Sequence, residues 1–169
     1  MKHFLSGIKD ALLRASVELN AQIMFLPHLL GIDSDFYPDF AADFPKGSIF
    51  STHIDLPFLY RPPGASLYPV VPFFTNLFRQ ADVVLGMRAH TCILAFGALT
   101  KFIALGEHQK LKYFGEEFGL PSEYLISKLP AFDAADVAFA SISGCLKDAS
   151  YPRLIEKGHP KLDHRLQHF

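Results

Sequence analysis

An α/β fold on a parallel sheet, with helices on both faces, is the class this sequence predicts. Three observations carry it. The runs "AQIMFLP", "DVVLG" and "KFIAL" are apolar at nearly every position and not at alternate ones, as in strands buried on both faces. Stretches with helical spacing separate them, among them "AHTCILAFGAL" and "HQKLKYFGEEFGL". Strand and helix alternate along the chain, and a helical crossover leaves the strands it joins parallel. Together these describe a Rossmann-like, doubly wound single domain over residues 1–169, with residues 130–169 as a helical C-terminal extension.

The elements follow in order. Residues 2–19 read as an amphipathic helix, because Phe4, Ile8, Leu12, Ala15 and Leu19 recur at three-to-four spacing, with Asn20 as its stop. A leading helix is unusual for a doubly wound unit, which ordinarily begins on a strand. "AQIMFLP" is a strand closed by Pro27, and a loop with a short helix near residues 36–43 leads to a second short strand, "SIFSTH". Residues 54–72 hold five prolines, which favour an extended surface loop of the functional kind. "FFTNLFRQ" is then a short helix, "DVVLG" a strand, "AHTCILAFGAL" a helix, "KFIAL" a strand and "HQKLKYFGEEFGL" an amphipathic helix. "EYLI" is a last strand, residues 131–148 a further helix, and "YPRLIEKGHPKLDHRLQHF" a polar terminal segment.

Composition narrows the function classes. A chain of 169 residues buries roughly 70% of its unfolded surface on folding. Half of its residues are hydrophobic, so it is globular and not disordered. A net charge of −1 gives no global electrostatic case for nucleic-acid binding. Seventeen Phe against no Trp hints at an apolar groove or interface as well as a core. Two cysteines without a Cys-x-x-Cys pattern indicate neither zinc nor a disulfide framework, and fit a reducing compartment. The start "MKHFLSGIKDALLRA" lacks the apolar run of a signal peptide, and no window supplies the ~18 apolar residues of a spanning helix. The expectation is a cytoplasmic protein, free or peripheral to the inner face of the membrane.

The chemistry points to one turn. Ligands of open parallel sheets sit beyond the carboxyl ends of the strands. "DVVLG" ends at Gly86, so "GMRAH" lies at that edge, with a helix starting near Ala89 or His90. The free N–H groups of a helix start favour an anion. Arg88 adds a forked, permanent cation, His90 a group able to move a proton near neutral pH, and Gly86 room for close backbone approach. The bland alternative is that Arg88 pairs with a local carboxylate and His90 only caps the helix.

The ordered series "GMRAH", "TKFIALG", "HQK" and "EEFGL", preceded by "AQIMFLPH", resembles the C-terminal half of the polysaccharide pyruvyl transferases over roughly residues 8–130. In that family an apolar strand ends in a Gly-Met-Arg-Leu-His type motif, followed by an apolar helix, a strand, a Lys-bearing turn and a Leu-Gly-Leu helix end. The resemblance implies one half of a two-domain, GT-B-like transferase. It further implies transfer of pyruvate as a ketal from phosphoenolpyruvate to a sugar of a cell-surface polysaccharide or its precursor. Arg88, Gly86, His28 and Lys110 would bind substrate and His90 would be the acid/base, with no cofactor or metal beyond phosphoenolpyruvate as donor. Ala89 stands where the family has Leu. Family members are longer, and their N-terminal half forms the cleft's other wall. The expected partners are therefore phosphoenolpyruvate, a sugar acceptor and either a separate N-terminal half or a second copy of the chain.

Other candidates carry less. Tyr60 and Arg61 in the proline-rich stretch suit a sugar surface but also suit loop packing. Cys92 follows His90 at i+2, a spacing that does not face it on a helix, so a buried thiol is expected in place of a nucleophile. Asp33, Asp35, Asp39 and Asp43 lack the glycine and closing glutamate of a calcium loop and read as a solvated acidic face. His164 and His168 lack a third metal ligand. Two alternative functions remain: a nucleotide-sugar-dependent glycosyltransferase-like half, and a non-catalytic oligomerising half-domain.

Overall fold

Four consecutive residues of one strand, Phe102–Leu105, are all buried. Successive side chains of a strand point to opposite faces, so both faces are covered here, as the uniformly apolar run predicted. The computed structural model describes residues 2–27, 32–52, 70–106, 109–126 and 133–151. Its elements run α1 (Lys2–Glu18), β1 (Ile23–Phe25), α2 (Ile32–Ala41), β2 (Ile49–Ser51), α3 (Val70–Phe78), β3 (Val84–Gly86), α4 (Ala89–Gly97), β4 (Phe102–Leu105), α5 (Gln109–Phe118), β5 (Leu125–Ile126) and α6 (Ala134–Lys147). A single 3-10 turn, Ser122–Tyr124, precedes β5.

The chain is α/β and its strand pairs are parallel. The described strands form two sheets and not the single one expected: β1 pairs with β2, while β3, β4 and β5 stand in sequential order. Val84 lies opposite Phe102 and Gly86 opposite Ala104. The carboxyl ends of β3 and β4 therefore leave the sheet at one edge, and the helices that follow them begin there.

Two helix pairs cover the three-stranded sheet, α4 with α5 and α1 with α6. Phe96 of α4 meets Phe114 and Phe118 of α5 at ring separations of 5.4 and 4.7 Å. Phe114 also reaches Phe102 on β4, at 6.1 Å. Each such pair adds about 0.5–1.5 kcal/mol beyond the area it buries. Where α1 meets α6, small residues allow close approach: Ala11, Ala15 and Ala138 are buried, and a methyl group on Gly7 would collide with Ala134. Arg14 of α1 bonds Asp136 of α6 at 2.5 Å and lies over the ring of Phe139 at 4.1 Å. Asn20 ends α1 with φ +52, a left-handed conformation its side chain tolerates.

Part of the phenylalanine content forms a second cluster. Phe25 of β1 lies 5.5–6.4 Å from the rings of Phe36, Tyr37 and Phe40 of α2. Phe40 stacks on Phe44 at 5.6 Å.

Several boundaries differ from the sequence reading, for reasons tied to single residues. The expected helix at 36–43 begins at Ile32 and contains Pro38, held by the ring contacts of Phe36 and Phe40. α3 begins at Val70, inside the stretch assigned to a proline-rich loop. Pro72 falls in its first turn, where the missing N–H costs nothing. The expected strand "EYLI" is a two-residue strand after a 3-10 turn. Tyr151, placed by sequence in a polar tail, is fully buried and donates its hydroxyl to the Phe102 carbonyl at 2.6 Å.

Candidate functional site

The turn between β3 and α4 is short: Gly86 ends the strand and Ala89 begins the helix. Arg88 is the N-cap residue, with φ −126 and ψ 143, an extended conformation that turns the chain into the helix. Its carbonyl accepts from the N–H groups of Thr91 and Cys92 at 3.1 and 3.3 Å. An N-cap is ordinarily Ser, Thr, Asp or Asn, whose side chain satisfies the free N–H groups of the first turn. Here no side chain caps them, and the first turn has no acidic residue. Among the described residues, the positive pole of α4 is therefore met by a cation and by no side-chain acceptor.

Met87, Arg88 and His90 are exposed, while Ala89 packs against the core. Among the described residues, neither the Arg88 guanidinium nor the His90 imidazole has a hydrogen-bond or ion-pair partner. The bland alternative for Arg88, a local carboxylate partner, is thus not realised among them.

Lys110 joins the same edge. β4 runs parallel to β3, ends at Leu105 and turns through Gly106, whose φ of +113 favours glycine and whose N–H donates to the Ile126 carbonyl at 2.9 Å. Lys110 is exposed in the first turn of α5, which also lacks an acid. Arg88, His90 and Lys110 thus stand at the starts of two helices that leave neighbouring strands at one edge. The sequence reading passed over Gly106, although a glycine directly after an apolar strand was the available signal.

Gly86 has a packing reason of its own. It is buried, and a Cβ there would lie 2.5 Å from Sγ of Cys92. The fold itself requires glycine at this position. Cys92 is fully buried, and burial pushes its thiol up to about 12. It is the inert core cysteine that the spacing predicted. His28, Tyr60, Arg61, Asp33's side chain, His164 and His168 lie outside what the structure describes. Asp43, from the acidic stretch, pairs with Lys9 at 2.5 Å. Among the described residues, no three His, Cys, Asp or Glu side chains gather as metal ligands would. No helix among them is long and apolar enough to cross a membrane.

No family model, curated protein or solved structure matches the chain.

A separate groove of about 270 Å³ lies between α1 and α2, lined by Leu5, Ser6, Lys9, Phe36, Asp39 and Phe40. None of its lining residues belongs to the β3–α4 or β4–α5 turns. The Lys9 amine is already committed to Asp43 and to the Asp39 carbonyl at 3.1 Å. The groove therefore offers little polar chemistry, and the strand edge is the better candidate.

Proposed function

We propose that the edge beyond β3 and β4 binds phosphoenolpyruvate and that the protein is a pyruvyl transferase-like enzyme. One observation supports the reading: among the described residues, two adjacent helices present cations and no acids in their first turns. Arg88 and His90 stand on α4 and Lys110 on α5. Cations at a helix start are unfavourable by about 0.3–1 kcal/mol each unless an anion lies between them. Phosphoenolpyruvate carries two anionic groups, a carboxylate and a phosphate, for these donors to hold. The parallel α/β architecture is compatible with a Rossmann-like half of a GT-B-like transferase, and the ordered motifs supply the family.

The reaction balances with groups of this kind. Two sugar hydroxyls add to the central carbon of phosphoenolpyruvate, and the carbon–oxygen bond to phosphate breaks. One hydroxyl proton ends on the methylene carbon, making the methyl group of the ketal, and the other leaves with phosphate. In this reading Arg88 and Lys110 bind the donor's anionic groups, with His28 as a further contact. His90 moves the proton, because it is the titratable group beside the cations. The exposed Arg88 and His90 form one wall of a cleft, and a separate N-terminal half or a second copy supplies the other. A cytoplasmic site, free or at the inner face of the membrane, fits a donor made in the cytoplasm and an acceptor for a surface polysaccharide.

Thermal unfolding with millimolar ligand tests this reading. Phosphoenolpyruvate should raise the midpoint of the wild-type chain and leave that of Arg88→Ala unchanged. Uridine and guanosine diphosphate sugars form the competing arm. A shift with these and none with phosphoenolpyruvate would replace the reading with a nucleotide-sugar transferase.

A further inference from the structure

We propose that Cys92 is a positioning residue for the carboxyl-edge site, clamping the turn that carries Arg88 and His90 to the end of β3; its role in binding rests on the reading above. Two bonds from one residue hold both ends of the turn. The Cys92 thiol donates to the Gly86 carbonyl at 3.6 Å, and its backbone N–H donates to the Arg88 carbonyl at 3.3 Å. The pair is also matched in volume. A methyl group on Gly86 would lie 2.5 Å from the Cys92 sulfur and 3.4 Å from its nitrogen. Sulfur has little room to swing aside, because Cys92 is fully buried beside the equally buried Ala95 and Phe96. Strand end and first helical turn therefore meet at the distance a glycine and a thiol allow, and that distance sets where Arg88 and His90 stand. Displacing a binding group by about 1 Å can cost on the order of 100-fold in function.

The test uses the full chain and four variants: Gly86→Ala, Cys92→Ala, the double variant and Cys92→Ser. The first readout needs no ligand. It is amide hydrogen exchange at Thr91 and Cys92, the two N–H groups bonded to the Arg88 carbonyl. The second is phosphoenolpyruvate affinity at a temperature where each variant is folded. Gly86→Ala should speed exchange and weaken affinity by about tenfold or more. The double variant should exchange more slowly and bind more tightly than Gly86→Ala, recovering to the level of Cys92→Ala alone, because removing the sulfur makes room for the new methyl. Cys92→Ala alone should speed exchange, and Cys92→Ser, which keeps a donor of similar size, should not. A purely structural role would lower the melting midpoint without changing the affinity of folded protein. Unchanged exchange in Gly86→Ala, or a double variant no better than the single one, overturns the clamp. Should Gly86→Ala fail to fold, equal exchange in Cys92→Ala and Cys92→Ser overturns it instead. Exchange that behaves as expected in a wild-type protein that does not bind phosphoenolpyruvate keeps the clamp and overturns the ligand.

Discussion

The two edges of the three-stranded sheet are built on opposite principles. At the amino edge the polar groups are tied inward. Thr100 donates to the Phe78 carbonyl at 2.7 Å, and Lys101 caps the end of α6 through the Cys145 and Leu146 carbonyls at 3.0 and 2.9 Å. Tyr151 donates to Phe102, and Tyr124 to Asp148 at 3.0 Å. Asp148 also accepts from the hydroxyl and the N–H of Ser150. At the carboxyl edge, Met87, Arg88, His90 and Lys110 are exposed, and the start of α4 lacks a side-chain cap. One edge holds the domain together, and the other leaves charge and hydrogen-bonding capacity unengaged among the described residues, which is the capacity the proposed ligand site would use.

The largest effect on stability is expected at the amino edge. Tyr151→Ala removes a buried ring and its hydrogen bond, and should cost about 3–5 kcal/mol in denaturant unfolding. The affinity of the folded fraction for phosphoenolpyruvate should not change. At the carboxyl edge the sign reverses. Arg88→Ser removes the proposed charge-assisted contact to the donor and should weaken phosphoenolpyruvate binding by about 2–3 kcal/mol, roughly 30- to 150-fold. The same variant supplies the missing N-cap and should raise stability by about 1 kcal/mol. A loss of stability in Arg88→Ser would show that the arginine serves the fold.

A smaller effect sharpens the boundary between α4 and β4. The N–H groups of Leu99 and Thr100 donate to the Phe96 and Ala95 carbonyls, closing the helix in a Schellman motif. Leu99 sits there at φ +60, where glycine is usual, and is 48% exposed. Leu99→Gly should therefore stabilise the protein by about 1 kcal/mol in thermal unfolding. The smallest effect is one of pH. The Ser150 hydroxyl first, then its N–H, and also the Tyr124 hydroxyl, hold the Asp148 carboxyl below its ordinary value of 3.8. Its stabilising contribution is present above that value and fades as pH falls through the lowered one. Asp148→Asn should flatten the acid limb of the stability curve while leaving ligand binding at neutral pH unchanged.

The carboxyl edge was more legible in the sequence than the amino edge. "DVVLG" marked β3 and its end at Gly86, and the helix starts at Ala89 as expected. Uninterrupted apolar runs and a turn glycine are local signals, and they place Arg88 and His90 without further information. Lys110 needed the parallel register of β3 and β4 to join them. The amino edge depends on contacts between residues far apart in the chain, such as Tyr151 with Phe102 and Lys101 with Cys145, which no local pattern encodes. Proline misled at Pro72, because first-turn placement tolerates it. Gly86 was legible as a necessary glycine but not for its reason, which is the sulfur of Cys92.

Calorimetric titration of phosphoenolpyruvate into the wild-type chain and into Arg88→Ser measures whether the carboxyl edge binds the donor. The carboxyl-edge account predicts saturable binding to the wild type, and a 30-fold or greater loss in a variant that is no less stable, on the order of the charge-assisted bond removed. No binding to the wild-type chain, or equal affinity in both proteins, would contradict it.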